Sequence, residues 1–168
     1  MRLTQELDAR TPVTRWKPYA VSAVAVATSA VLGGAAVDPH SDWYRALRKP
    51  PWQPPGWAFG LVWTPLYATI AWAGGHALSR THGAERRALA VGLGANLALN
   101  TAWNWAFFAR RSPAAGVVGT VLLDLSNLLL VRRMHRSDPY GARVLAPYAA
   151  WCAFATALNV DIARRNAG

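Results

Sequence analysis

The chain is poor in cysteine, in acidic residues and in charge of either sign. Its single cysteine, Cys152, leaves no intramolecular disulfide to stabilise the fold. Lying in an apolar run, it reads as a small buried hydrophobe. Charged residues make up 15% of the 168, against 53% hydrophobic, and they fall in short clusters between long apolar runs. That is the pattern of a polytopic membrane protein. Only 8 acidic residues face 18 Lys and Arg, for a formal net charge of +10. In a soluble chain such an excess suggests nucleic acid. Here the arginines flank apolar spans, where they anchor against anionic headgroups, and no nucleic-acid partner is expected. Walker loop, dinucleotide fingerprint, nucleophile elbow and zinc motif are all missing. His40, His76, His82 and His135 fall in loops or at span ends without metal-ligand spacing, so they read as solvated and no metal is expected. A cleavable signal peptide is not expected either, because the first apolar run is long for such a segment.

What remains is an all-α membrane protein. Five runs approach the roughly 20 residues that a bilayer core requires, at about 18–37, 57–78, 88–108, 113–131 and 142–163. They predict a single domain, a bundle of five transmembrane helices. Pro65 lies inside the second span as a potential kink, and Pro113 opens the fourth at a favourable first-turn position. Residues 1–16 read as a polar tail or interfacial segment. Of the connections only the first, residues 38–56, is long, and a long connection in a compact protein is more often functional than idle. Lys and Arg divide eleven to seven between the two sides, counting Arg143 with the fourth connection. This small bias favours an inside N-terminus.

The stretch Trp43–Tyr67, WYRALRKPPWQPPGWAFGLVWTPLY, joins that connection to the second span. Pro50, Pro51, Pro54 and Pro55 fix φ and lack N–H donors, so its first half is a stiff non-helical loop. The loop carries Trp43, Arg45, Arg48, Lys49 and Trp52. Its second half becomes helix, with Phe59, Trp63, Tyr67 and Ile70 on one face. The third span places Asn96, Asn100, Trp103, Asn104 and Phe107 on one face. The fifth repeats the theme with Tyr148, Trp151, Ala155 and Asn159. Carboxamides on a membrane helix avoid lipid. They either hold helices together or line a cavity, and periodicity leaves both open. Trp16, Trp57 and Trp105 suit an interfacial belt, whereas Trp63 and Trp151 lie deeper. Three such stripes would enclose a pocket for a large, flat, mostly apolar ligand. Asp124 in mid-span is a functional candidate by position, set against a hydrogen-bonded acid facing another helix. Asp161 would pair with Arg164 or Arg165. Gly94 and Ala98 form a small-xxx-small pair.

These residues resemble the tryptophan-rich sensory protein/translocator protein family, also called the peripheral benzodiazepine receptor family. Trp43–Tyr67 follows its signature WY-x3-KP-x-W-x-PP-x-W-x-F-x3-W-x2-LY with one extra residue after Tyr44. LALNTAWNWAFF at Leu97–Phe108 and PYAAWCAFATALN at Pro147–Asn159 agree as well. The resemblance covers the second to fifth spans. It implies a five-helix bundle, often dimeric, whose first loop caps a pocket for porphyrins. Carried over by motif, the ligand-binding residues would be Phe59, Trp63 and Tyr67 on the second helix, and Asn96, Asn100, Trp103 and Phe107 on the third. The fifth would add Tyr148, Trp151, Ala155 and Leu158, with Trp43, Arg45, Arg48, Lys49 and Trp52 in the lid. One departure weakens any expectation of cholesterol binding. Val160 and Asp161 follow Asn159 where the family's cholesterol segment places a tyrosine, although the reversed pattern matches at Lys17, Tyr19 and Val21.

The expected function is therefore an integral membrane receptor or carrier for tetrapyrroles such as protoporphyrin IX or haem, with no cofactor required. Light-dependent porphyrin degradation, proposed for some members, would make Trp63 and Trp151 redox partners. No acid/base pair in the sequence supports an enzyme independently. The remaining alternative is a membrane protein whose aromatic loop docks another protein.

Overall fold

A computed structural model describes residues 16–167; the polar tail expected over residues 1–16 lies outside them except for Trp16. Five long helices dominate: α1 (Lys17–Gly34), α3 (Gly56–Arg80), α4 (Gly83–Asn104), α5 (Pro113–Ser137) and α6 (Pro139–Arg165). A short α2 (Asp42–Ala46) lies within the long first connection, and α4 continues into a π-helical turn at Trp105–Ala109. The long helices have 18 to 27 residues, or about 27–40 Å at 1.5 Å per residue, sufficient for a bilayer core.

The helices overrun most of the expected spans. Residues 79–87 shrink to a two-residue link at Thr81 and His82, and residues 132–141 to Asp138 alone. Apolar runs record where lipid would end, while Arg, Glu and Met continue a helix readily. Packing joins α1 to α3 and α4, α4 to α5, α5 to α6, and α6 back to α3, forming a closed ring. Consecutive α3 and α4 are thus separated by α1 for most of their length.

The ring buries polar side chains within an aliphatic core and is apolar outside. Ser22, Ser29, Asn96, Asn100, Asn104, Thr120, Asn127 and Asn159 are buried, whereas Val21, Val24, Leu61, Val91, Leu122, Leu125 and Leu129 are exposed. A soluble protein avoids so broad an apolar surface. Among the described residues only α5 is long and apolar enough to cross a membrane by length and composition alone, and just 28% of its most apolar stretch is buried. The core helix of a soluble protein would show the reverse.

The end opposite the long loop is tied by Asp138. Its carboxylate caps α6 by accepting Gly141 N–H at 3.1 Å and lies 2.6 Å from His76 Nδ1. Trp72 stacks on the His76 ring at 4.5 Å. This corrects the reading of His76 as solvated: helix α3 continues through it and holds it, largely shielded, against a buried acid 62 residues away. His40, His82 and His135 are exposed. Asp138→Ala removes the cap, about 1 kcal/mol, and orphans His76; the unfolding midpoint in detergent should fall accordingly. Asp138→Asn, which preserves a cap acceptor, should lose less.

Candidate functional site

The loop and the adjoining half of the ring form one aromatic assembly. Trp43 packs edge-on against Phe107 at 5.5 Å, and Tyr44 lies 5.4 Å from Phe108. The π turn makes these contacts possible. Its wider winding accommodates an extra residue, seen in the Arg110 N–H donating to Trp105 O, and it buries Phe107 beneath α2. Trp52 meets Phe154 at 5.7 Å and donates its indole N–H to Asp161 at 3.1 Å. Asp161 also pairs with Arg165 at 2.7 Å, the second of its two expected partners. Asn166 clamps the loop by accepting Arg48 N–H and donating to Arg48 O, both at 3.0 Å.

The basic residues of the loop differ in their engagement. Lys49 donates to Tyr44 O and lies over the Tyr44 ring at 4.3 Å. Burial lowers its pKa and raises that of the Tyr44 phenol, the latter partly offset by the Gln53 amide donating to it at 3.3 Å. Arg45 and Arg48 project outward.

Beneath the loop, inside the ring, is a cavity of about 30 Å³ lined by Phe59 and Trp63 of α3, Asn100 and Trp103 of α4, Thr120 and Leu123 of α5, and Trp151, Cys152 and Ala155 of α6. Six of the eleven residues expected at a pocket thus line this cavity. Two buried polar atoms of these residues, Asn100 Oδ1 and Trp103 Nε1, have no hydrogen-bond partner. Buried polar groups are nearly always satisfied, so an unpartnered acceptor and donor on two residues that line one cavity leave bonding capacity for a ligand or water that reaches them.

The other five expected residues lie around this cavity. Tyr67 packs on Trp63 at 5.1 Å. Phe107 and Leu158 belong to the cluster beneath the loop. Asn96 and Tyr148 form a saturated knot one turn below: Asn96 donates to Ser126 at 3.1 Å and Asn127 at 2.7 Å, and Tyr148 O–H donates to Asn96 Oδ1 at 2.9 Å. The asparagine stripe therefore divides between helix tie and cavity wall. Asp124 is also a tie, accepting Thr156 O–H at 2.6 Å across α5 and α6. Thr120, Leu123 and Cys152 were not anticipated at the cavity. Thr120 and Leu123 have no aromatic or amide signature to distinguish them from other residues of an apolar span.

A ring of five long helices, apolar outside, with polar side chains sequestered inside and closed at one end by a tryptophan–proline loop, defines an all-α membrane bundle. The pattern of the TspO/MBR family matches residues 20–165, and the chain belongs to that family. It is 36% identical over 129 residues to the translocator protein of Homo sapiens, covering 75% of this chain and 76% of that protein. The tryptophan-rich protein TspO of Chlorobaculum tepidum is 35% identical over 133 residues, with 76% and 82% covered. Protein CrtK of Rhodobacter capsulatus is 31% identical over 151 residues, with 89% and 93% covered.

Proposed function

We propose that this protein is a multi-pass membrane receptor or carrier that binds a tetrapyrrole, such as protoporphyrin IX or haem, between α3, α4 and α6. The observation carrying this reading is the cavity itself: three indoles and a phenylalanine converge with an unpartnered donor and acceptor. Flat aromatic ligands gain from stacked and edge-on indoles, and a few placed polar groups orient them. Relatives of this chain are named translocator protein and tryptophan-rich sensory protein, which agrees with a ligand that is moved or sensed.

A porphyrin needs a pocket in the ordinary ligand range of about 300–1,000 Å³, far above the 30 Å³ present. The reading therefore includes an opening motion. The loop is the mobile part of choice, because its polar attachments to α6 and the residue after it are few: Trp52 to Asp161 and Arg48 to Asn166. Once it lifts, Arg45, Arg48 and Lys49 stand at the mouth, where they meet the propionates. In this reading the N-terminus faces inside, following the Lys and Arg bias.

Titrating purified protein with protoporphyrin IX while following tryptophan quenching tests the proposal. Wild type should saturate. Trp63→Ala/Trp151→Ala should weaken binding about a hundredfold, at roughly 1–1.5 kcal/mol for each lost aromatic pair. An unchanged curve in the double variant would remove the proposed pocket.

Photodegradation has one observation of its own in its favour. Trp63 lies 5.1 Å from Tyr67 and 6.1 Å from Tyr148, a chain of oxidisable rings leading from the cavity. Illuminating the complex separates it from simple binding: bleaching no faster than that of free porphyrin in detergent excludes it.

A further inference from the structure

On the outer surface, away from the loop, a groove of about 680 Å³ runs between α4 and α5. Its α4 wall is low because Ala88, Gly92 and Ala95 recur at helical spacing on one face. At Gly92 the nearest atom to an added Cβ would be Leu130 Cδ1 at 3.5 Å. The opposite wall is aliphatic: Leu122, Leu125 and Leu129, each more than 45% exposed. The groove runs from Leu99 to Ala88 on one helix and from Leu122 to Arg136 on the other, about 17–21 Å at 1.5 Å per residue. That is roughly one leaflet, half of the ~30 Å hydrocarbon core, plus a headgroup layer.

One end of the groove is strongly basic. Arg132, Arg133 and Arg136 line it just beyond the apolar run of α5. Of these, Arg133 is 4.0 Å from Glu85, and both side chains are about half exposed, a geometry worth little. Among the described residues Arg132 and Arg136 meet no carboxylate. An aliphatic trough of leaflet depth ending in cations complements an amphipath with an apolar chain and an anionic head.

We propose that this groove is a binding site for one anionic glycerophospholipid, its acyl chain along Ala95 and Leu125 and its phosphate held by Arg132 and Arg136, with Arg133 shared with Glu85. Charge argues against a second copy as the occupant. An isologous pairing through this face would bring two arginine clusters together, which like-charge repulsion disfavours. The site is separate from the cavity beneath the loop, and its occupancy does not depend on porphyrin.

Native mass spectrometry of the full chain in detergent tests the site, using phosphatidylglycerol and phosphatidylcholine of identical acyl chains. Wild type should retain one phosphatidylglycerol in preference to phosphatidylcholine. The Arg132→Gln/Arg133→Gln/Arg136→Gln variant, altered only at exposed side chains, should lose preference by up to about fivefold for each arginine removed. Ala95→Phe, which fills the trough, should lose the adduct, while Val21→Phe on the outer face of α1 should keep it. Equal retention of the two lipids, or a preference that survives the triple glutamine variant, would overturn the proposal. So would displacement of the lipid by millimolar inorganic phosphate, which would mark a simple anion site. A dimer that dissociates in Ala95→Phe with no lipid adduct at any stage would assign the face to a second copy instead.

Discussion

Replacing Gly75 with leucine is expected to leave no folded, monodisperse protein in detergent, whereas Gly60→Ala, on the same helix, should raise the unfolding midpoint. The contrast comes from what each new side chain meets. A Cβ at Gly75 would lie 2.6 Å from Tyr19 Cα and 2.7 Å from Tyr19 Cδ1. The first obstacle is backbone, so no rotamer change relieves it, and α1 itself has to move. Gly74 is also confined, there by side chains, with Ser22 Oγ 2.5 Å and Leu93 Cδ2 2.7 Å from the corresponding point. The α1–α3 seam is a close approach of two helices over small residues, with Ser22, Val26, Ala73 and Ala77 buried nearby. Within lipid, helices gain nothing from hiding apolar surface from water, so van der Waals closeness at such seams carries association.

Alanine at Gly75 would gain up to ~1 kcal/mol in helix propensity against an overpacking cost of about 1–3 kcal/mol. Leucine adds three more carbons with no room for them. Opening α1 also loosens its seam with α4, where Ser29 donates to Leu97 O at 3.0 Å. Gly60 has nothing within 4 Å and so takes the propensity gain alone. Size-exclusion chromatography and circular-dichroism melts read both outcomes. A Gly75→Leu protein that elutes and melts like wild type would show that the seam does not hold the bundle.

How far the sequence discloses this arrangement depends on the range of the interaction. Helix number, the non-helical prolines after Arg48 and the first-turn proline at Pro113 follow from neighbours within a few residues. Ring order does not. Nothing local places α3 beside α6, or separates α3 from α4 across a two-residue link. His76 illustrates the same limit. Polar residues after Leu78 resemble the end of a span, and the acid that pairs with the imidazole lies at the start of another helix. The π turn at Trp105–Ala109 has no breaker residue to announce it, yet it brings Phe107 beneath Trp43 and Phe108 beside Tyr44. The pocket residues were partly legible because aromatic and amide types at helical spacing are rare on lipid-facing surface. Thr120 and Leu123 carried no such mark. Asn96 and Asn100 have identical chemistry one turn apart, and only the partners supplied by α5 and α6 separate their roles.

That separation gives the second large effect. Asn96→Leu is expected to lower unfolding stability by about 2–4 kcal/mol, whereas Asn100→Leu should change it by less than about 1 kcal/mol and instead weaken ligand binding. Leucine approximates asparagine in size, so packing is nearly preserved and the polar contribution is isolated. At Asn96 three hydrogen bonds vanish, to Ser126, Asn127 and Tyr148. The Asn127 carbonyl and the Tyr148 hydroxyl lose strong partners inside the ring, and each orphaned group costs about 1–3 kcal/mol. Asn127 Nδ2 is already unpartnered, so that side chain would be left with no bond through its amide. Asn100 differs in having an unpartnered Oδ1 and only a long 3.4 Å contact from Nδ2 to Tyr148 O–H. Removing its amide relieves one unsatisfied acceptor and gives up one weak bond, nearly cancelling. The Asn104 contact survives, since it ends on the Asn100 backbone carbonyl. A double-mutant cycle sharpens the assignment: Asn96→Leu/Asn127→Leu should cost less than the sum of the single changes, because the second removes a group the first has orphaned. Additivity within about 0.5 kcal/mol would show that the knot does not act as a unit. Porphyrin affinity completes the test. Asn100→Leu should weaken it in a protein that melts normally, and a loss of stability without a loss of binding would transfer Asn100 from the cavity wall to the knot below.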